Sequence, residues 1–344
     1  MKNRTIGAIL ALALAAVFIP SAVFAWGVVG HTMINRLAAQ NLPNSLPAFV
    51  RAPGAIDEIA TLGPEEDRIK DAGPSWDADN DPGHYLDIGD DGTVAGVVRL
   101  DALPKDMAAY AHALAGANTD LYRMGYIPYS IIDGFERVRK DFAIWRVDDY
   151  MTTHATTPAA REMFVKDRAL REDLTLRDIG DWGHFVGDGS QPLHITIHFN
   201  GWGNYPNPKG YTTNHIHSYF ESEFVNKYSK QADVASKIPA YTPANPAQLL
   251  TQTQIASIVG AYLTDTSKTV DPLYALYAAG DFQNGSPKAI DFANTQLAHG
   301  ATELRNLIAL AWEDSLNAGV GYPQVPVRDV LSGKVVPTAA NQTP

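Results

Sequence analysis

The 344-residue sequence contains no cysteine, so disulfides are excluded and stability must come from packing or from bound metal ions. The apolar run at residues 6–19 is short for a membrane span, which needs about 20 residues. Cations are in the minority, with 27 Lys and Arg against 38 Asp and Glu and a formal net charge of −11. This acidic balance argues against broad, nonspecific binding to duplex nucleic acid, although bound divalent cations would reverse the sign of charge locally.

The first 25 residues have the pattern of an export signal. Lys2 and Arg4 precede the apolar run, and compact residues stand at the −3 and −1 positions of a cleavage site after Ala25. We predict a signal peptide over residues 1–25 and export to the periplasm or the medium. A retained N-terminal anchor is the alternative. Cleavage would make Trp26 the first residue of the mature protein.

Helical spacing of apolar residues recurs along the chain, whereas clear period-two strands are scarce. The segments with this spacing are 32–41, 103–115, 130–149, 159–173, 178–187 and 293–317. We therefore predict an all-α fold, with a single multi-helix domain over residues 26–325. The end of the chain, residues 326–344, is rich in Pro, Ala and Thr and is expected to be a flexible tail.

Half of the ten histidines fall within residues 184–217, among carboxylates. Imidazole nitrogen and carboxylate oxygen are ligands that zinc uses. If the helix predicted near residue 180 forms, His184 and Asp188 lie one turn apart on the same face. His194 then follows from the turn after the helix. The spacing predicts a metal site, and a helix cap beside a surface histidine is the alternative for His184 taken alone.

A second pair, His217 and Glu221, repeats the four-residue spacing and has an apolar flank. The other histidines of the chain are assigned supporting roles. We expect the two nearest ones to contact ligands or solvent and the rest to be structural or on the surface: His198 and His215, and then His112, His154 and His299.

The stretch 77–90 is dense in acidic residues and places His84 after a Pro-Gly turn, three residues before Asp87. Calcium binding is a competing interpretation, but the glycine and terminal glutamate of an EF-hand loop are missing. A solvated turn is the third possibility, since Asp-rich turns are common at protein surfaces.

Four short segments combine histidine with tryptophan or carboxylates: "WGVVGH" at residues 26–31, "GHYLD" at 83–87, "HFVGDGSQPLH" at 184–194 and "HSYFE" at 217–221. In the same order they resemble the metal-binding segments of the S1/P1 nuclease and zinc-dependent phospholipase C superfamily. From about residue 225 onward, the chain shares only general helical character with that superfamily. The resemblance implies an all-α fold that holds three zinc ions in a cleft.

The resemblance also implies which residues bind each ion. The three sets of ligands are Asp67, His84, His184 and Asp188; the α-amino group and carbonyl of Trp26 with His31 and Asp188; and His194, His217 and Glu221. Each set suits zinc, which favours about four nitrogen or oxygen ligands. Because only a mature chain has a free amino group at Trp26, cleavage after Ala25 would be part of building the site.

Asp67 is the early aspartate, the carboxylate ligand that precedes His84 in the sequence, but it is not the only candidate for that role. In the nucleases of this superfamily the ligand aspartate is followed three residues later by an arginine that holds phosphate. Asp67 is followed by Lys70 at that spacing, Glu65 with Arg68 fits it as well, and Asp71 is another possible ligand. We expect Lys70 or Arg68 to hold a phosphate oxygen and Asp188, which two ions would share, to support the nucleophile.

By this resemblance, the leading hypothesis is an exported endonuclease that hydrolyses single-stranded DNA or RNA, with no obligate protein partner. Tyr85 would stack on a base and Asp87 would hydrogen-bond to it. The alternative is a phospholipase C that acts on phosphatidylcholine-like head groups, which Glu221 and the aromatic loop 201–205 favour. A noncatalytic zinc-binding protein is the third hypothesis. Residues around 101–175 are expected to contain an insertion.

Overall fold

The computed structural model describes residues 26–337. The predicted signal peptide and the last part of the predicted tail lie outside the described residues. The fifteen α-helices of the described range are α1 (Gly27–Gln40), α2 (Ala48–Arg51), α3 (Pro53–Leu62), α4 (Glu65–Arg68), α5 (Pro74–Asn80), α6 (Met107–Gly116), α7 (Leu121–Met124), α8 (Ile127–His154), α9 (Pro158–Asp188), α10 (Val225–Tyr228), α11 (Gln231–Ala235), α12 (Gln252–Ser267), α13 (Val270–Ala278), α14 (Pro287–Ser315) and α15 (Val327–Leu331).

Strands are few and short in residues 26–337. β1 (Thr93–Val94) pairs antiparallel with β2 (Val98–Arg99), and β3 (Gly319–Val320) pairs antiparallel with β4 (Val325–Pro326). Three 3₁₀ turns, Asp81–His84, Leu100–Ala102 and Pro192–His194, and a π-helical turn, Tyr219–Phe224, complete the elements. The prediction of an all-α fold is confirmed at the level of fold class. Within the same residues, no helix is both long enough and apolar enough to cross a membrane.

Helices α8 and α9, which follow one another in the chain, pack along each other and form the centre of the fold. The apolar spacing predicts separate helices at 159–173 and 178–187, but α9 is one helix of 31 residues. The intervening residues include neither glycine nor proline, and the Thr175 hydroxyl donates to the Arg171 carbonyl at 2.7 Å. That bond keeps the hydroxyl satisfied inside the helix, so the helix continues.

The C-terminal half of α9 lies very close to α1 and α3. A Cβ atom added to Gly183 would lie 2.2 Å from Oδ1 of Asn35, and one added to Gly180 would lie 2.5 Å from Cβ of Leu62. The buried Asn35 amide donates to the carbonyls of Ile59 and Gly180, both at 2.9 Å. The two glycines allow this close approach, and the Asn35 amide holds α1, α3 and α9 together at the end of α9 that carries the histidine motif.

A second, smaller core forms where α8 and the N-terminal half of α9 meet the end of the chain. Val327 and Val330 are fully buried there beside Val147 and Phe164. This differs from the expected flexible tail: residues 327–331 form α15 because two valines three residues apart cover an apolar surface. The stretch 101–175 contributes α6, α7, α8 and half of α9 to this architecture.

Candidate metal centre

Three groups of buried side chains have ligand atoms within 4.8 Å of one another. All are built from histidine and carboxylates: His31, His184 and Asp188; Asp67, His84 and His184; and His194, His217 and Glu221. These residues lie on α1, α4 and α9, in the 3₁₀ turns Asp81–His84 and Pro192–His194, and in or just before the π-helical turn Tyr219–Phe224. Buried His, Asp and Glu groups of this kind could hold metal ions.

The first group joins α1 to the end of α9. Nε2 of His31 lies 3.3 Å from Oδ1 of Asp188, and Nε2 of His184 lies 3.4 Å from Oδ2 of the same carboxylate. The two imidazole rings stack with centroids 3.9 Å apart, and all three side chains are fully buried. Asp188 therefore directs its two oxygens at two different histidines, as a carboxylate shared between ions would.

The second group shares His184 with the first. Nε2 of His184 lies 3.7 Å from Oδ1 of Asp67, and the His84 ring meets the His184 ring edge-on with centroids 5.0 Å apart. The opposite ring nitrogens are occupied by backbone carbonyls: Nδ1 of His184 lies 2.8 Å from the Gly63 oxygen, and Nδ1 of His84 lies 3.0 Å from the Asp81 oxygen. Donation from Nδ1 would leave each Nε2 as a lone-pair ligand, the usual arrangement at metal sites.

The third group lies across the turn that follows α9. Nε2 of His217 lies 2.8 Å from Oε2 of Glu221, and Nε2 of His194 lies 3.8 Å from the same oxygen. Nδ1 of His194 lies 2.6 Å from the His84 carbonyl, while the Leu86 amide donates to the His194 carbonyl at 2.8 Å. These backbone contacts connect the third group to the second.

Many of the candidate ligand atoms are buried and have no hydrogen-bond partner among residues 26–337. They are Nδ1 and Nε2 of His31, Nε2 of His84, His184 and His194, both carboxylate oxygens of Asp188, and Oε1 of Glu221. An unsatisfied buried polar group costs about 1–3 kcal/mol, and native proteins contain few of them. Their concentration on converging donors fits metal ligation.

Protonation preferences differ within the centre. Burial lowers the pKa of His84 to about 3, with a further contribution from Lys70, and burial lowers the pKa of His217 to about 4. Burial alone would raise the pKa of Asp188, but His184 and His194 hold it well below its usual value. Neutral His84 and His217 and an ionised Asp188 are the forms in which these groups bind metal.

Glu221 and His184 instead have raised pKa values, so their surroundings favour the protonated forms. Burial raises the pKa of Glu221 to about 8. Burial opposes protonation of His184, but Asp188 and Asp67 together raise its pKa to about 9. Ion binding at these two residues would therefore displace protons, because a bound metal requires the deprotonated ligand.

The candidates for the aspartate ligand that precedes His84, and for the cation beside it, differ clearly in burial. Asp67 is buried within the second group, and its Oδ1 accepts from Nζ of Lys70 at 2.5 Å. The Arg68 side chain is 64% exposed and points away from the second group, and it donates a hydrogen bond to Glu65 at 2.7 Å. Asp71 is exposed. The centre thus contains Asp67 and Lys70, and it excludes the pair Glu65 and Arg68 that the sequence left open.

The two predicted substrate-binding residues, Tyr85 and Asp87, lie one and three residues after His84 and are partly buried. The Tyr85 hydroxyl donates to the Tyr122 carbonyl, and the Asp87 amide donates to the Met124 carbonyl at 2.8 Å. Burial raises the pKa of the Asp87 carboxyl to about 7. Near neutral pH this carboxyl is therefore partly protonated, and it can act as a hydrogen-bond donor in one form and as an acceptor in the other.

Trp26 is fully buried beside the end of α9. Its indole nitrogen donates to the Gly187 carbonyl at 2.9 Å and to Oγ of Ser190 at 3.0 Å, and its ring packs on Phe220 with centroids 5.4 Å apart. These contacts hold the start of α1 against the segment that carries His184 and Asp188.

The remaining histidines lie outside the three groups. His198 is buried, bonds Asp90 at 2.8 Å and stacks on Trp202 with centroids 3.7 Å apart. Trp202, in the aromatic loop that the sequence offered as a lipid contact, is itself buried. His112, His154 and His215 are exposed, and His299 is partly buried.

Sequence reasoning missed Gln191, which is fully buried between Asp188 and His194 and contacts Glu221. The available signal was its position: a polar side chain enclosed by two predicted ligands is rarely directed to solvent.

No protein-family model and no curated protein matched the chain. Fold and site together define a mostly helical protein with a buried candidate metal centre built from histidine and carboxylates.

Proposed function

We propose that this protein is a zinc-dependent phosphodiesterase of the S1/P1 nuclease type, which hydrolyses single-stranded DNA or RNA. The observation that carries the proposal is the adjacency of three ligand groups, two of which share His184, with buried ligand atoms that lack hydrogen-bond partners within residues 26–337. A single structural ion needs one closed set of ligands, whereas adjoining sets are typical of metal-assisted phosphodiester hydrolysis.

The donor set favours zinc, and the family resemblance sets the number of ions at three. Imidazole nitrogens dominate each group and carboxylates complete it, whereas calcium and magnesium prefer oxygen ligands. Bound ions of this kind lower the pKa of water and offset negative charge on the phosphate. The chain itself supplies the geometry, with Asp188 directed at His31 and His184.

Lys70 is the residue placed to hold a phosphate oxygen. Its ammonium group contacts Asp67 inside the second group, and Asp67 and Asp188 raise its pKa even though burial opposes this. It is therefore cationic at neutral pH and directed toward the ligand cluster. Tyr85 and Asp87, next to His84, would contact the base: an aromatic face stacks on any base, for about 1–3 kcal/mol.

A phospholipase C acting on phosphatidylcholine-like head groups is the second candidate. Glu221 is a ligand typical of those enzymes, and Phe199 and Tyr205, 48% and 45% exposed, offer apolar surface in the loop that leads to His217. The nuclease is favoured because Tyr85 and Asp87 lie one and three residues after His84, a member of the second group.

The test is to purify the mature protein, count zinc per chain, and compare hydrolysis of single-stranded DNA, RNA and phosphatidylcholine. We expect about three zinc ions and turnover of nucleic acid. Turnover of lipid alone would replace the nuclease by the phospholipase. Retention of zinc without hydrolysis of any phosphodiester would support a noncatalytic zinc-binding protein instead.

Export is proposed together with this function, because the ion held by His31 and Asp188 would need a free amino group at Trp26. A secreted chain that begins at Trp26 and a variant with one additional residue before it should differ in zinc content by about one ion, since an amide nitrogen replaces the amine. Equal zinc content in the two forms would remove the N-terminus from the centre.

A further inference from the structure

Gln191 occupies a buried position that metal ligation by itself does not explain. It follows α9, three residues after Asp188 and three before His194, and its side chain is fully buried. A glutamine amide has two donors and an acceptor, and burying it without partners would be unfavourable. Its contacts therefore indicate what it does.

The orientation of the amide is determined by the backbone. Oε1 of Gln191 accepts from the Leu193 amide at 2.8 Å, which caps the 3₁₀ turn Pro192–His194. Because an N–H group can pair only with the carbonyl oxygen of the amide, this bond identifies the two ends of the side chain. The amide nitrogen must then lie on the opposite side, where it donates to Oε2 of Glu221 at 3.3 Å.

One side chain thus joins two segments that are distant in sequence and that both carry ligands of the third group. The acceptor end orders the turn that presents His194, and the donor end contacts Glu221, whose Oε2 also lies 2.8 Å from Nε2 of His217. Glu221 is fully buried, and its Oε1 has no hydrogen-bond partner in the described chain. Gln191 therefore donates to the same carboxylate oxygen that lies nearest Nε2 of His217 and His194, and this oxygen has a second lone pair that an ion could use.

We propose that Gln191 is a positioning residue of the third group, which sets the rotamer of Glu221 and the turn of His194 together so that their ligand atoms converge on one ion. The proposal rests on the proposed metal-binding function. Residues that orient metal ligands typically change metal affinity about 10- to 100-fold when replaced. We expect an effect of that size, confined to one ion.

Two substitutions separate the two ends of the amide. Gln191→Glu keeps an acceptor for the Leu193 amide but removes the donor and places a second carboxylate against Glu221. Gln191→Met removes both contacts at similar volume. Gln296→Met is the matched control, since Gln296 is a buried glutamine of α14, 3% exposed, outside the three ligand groups.

The experiment measures zinc affinity by competition with a chromophoric chelator, and the absorption of Co²⁺-substituted protein, on the folded mature chain, with circular dichroism to verify folding. We expect Gln191→Glu and Gln191→Met to weaken one ion about 10- to 100-fold, and Gln296→Met to bind as the wild type does. In a Glu221→Gln background, Gln191→Met should add little, because the interaction it would remove is already changed.

Three results would overturn the inference. Wild-type affinity in both Gln191 variants would remove the role entirely. A defect in Gln191→Met but not in Gln191→Glu would reduce Gln191 to a cap of the turn. Undiminished loss in the Glu221→Gln background would indicate general structural damage. Zinc binding without phosphodiester hydrolysis by the wild type would refute the proposed nuclease function alone.

Discussion

The two halves of α9 bury charged groups in opposite ways. In the N-terminal half, Arg171 donates to the buried Asp141 of α8 at 2.7 Å, and Arg168 donates to the half-exposed Asp149 at 2.9 Å. Asp148 is fully buried, and burial together with Asp167 raises its pKa to about 8, so it holds a proton. In the C-terminal half, Asp188 stays ionised because its pKa lies well below the usual value.

The two acids differ in their neighbours, because Asp148 lies beside another acid, Asp167, whereas Asp188 lies between histidines. A carboxylate that takes up a proton has its charge removed by the fold itself. Asp188 keeps its charge, lies among histidines whose Nε2 atoms have no hydrogen-bond partner in residues 26–337, and so presents a site for a cation.

The largest effect is expected for Asp188→Asn, because the neutral amide removes the shared charge of the centre. Replacing residues that merely orient ligands costs about 10- to 100-fold, so loss of a shared ligand should lower phosphodiesterase activity by more than about 100-fold and decrease zinc content. Asp173→Asn, an exposed position on the same helix, is the control. Activity and zinc content are measured together, and wild-type values in Asp188→Asn would refute the assignment of the centre.

Lys70→Ala is the next largest change. Lys70 is in contact with Asp67 in the centre, whereas Arg68 faces solvent beside Glu65. Removing a charged group that stabilises a transition state costs about 100- to 1000-fold in kcat, so we expect a loss near the lower value for Lys70→Ala. Arg68→Ala should retain nearly full activity. The reverse order in steady-state kinetics would show that Arg68 reaches the phosphate.

Removal of metal should distinguish the two halves of α9 within one molecule. A ligand at about 100 times its dissociation constant stabilises the folded state by about 2.7 kcal/mol, so chelation should lower the melting temperature by several degrees. Hydrogen exchange followed by mass spectrometry should increase at residues 178–194. Exchange at residues 158–173 should change little, since arginines partner the acids there. Equal acceleration of both segments would contradict the comparison.

The smallest expected effect is on the pH dependence of stability, and it arises at Asp148, beside the N-terminal half of α9. Because the folded pKa of Asp148 is raised to about 8, the folded chain holds a proton that the unfolded chain releases above pH 4. Its contribution to stability is therefore lost as pH rises from about 4 to about 8. Asp148→Asn cannot ionise and should be more stable than the wild type at pH 8.5, by on the order of 1 kcal/mol. Urea unfolding at pH 5 and pH 8.5 measures this, and an unchanged pH slope would refute it.

Local spacing predicted much of the candidate site. His184 and Asp188, and likewise His217 and Glu221, are four residues apart, so a helix brings each pair to one face whatever the rest of the fold does. Lys70 and Arg68 could not be separated in this way. Both lie three residues after an acid, and only the packing of the chain after α4 turns one inward and the other to solvent.

The sequence by itself determined the helical class and the residue types of the centre, because helical periodicity and ligand spacing are local properties. Tertiary structure decided that α9 is continuous, that α15 is packed rather than part of a tail, and that His184 belongs to two groups. It also decided that Gln191 lies between two ligands of the third group. These outcomes depend on which distant segments meet, such as residue 31 with residue 188, and a local pattern carries no information about that contact.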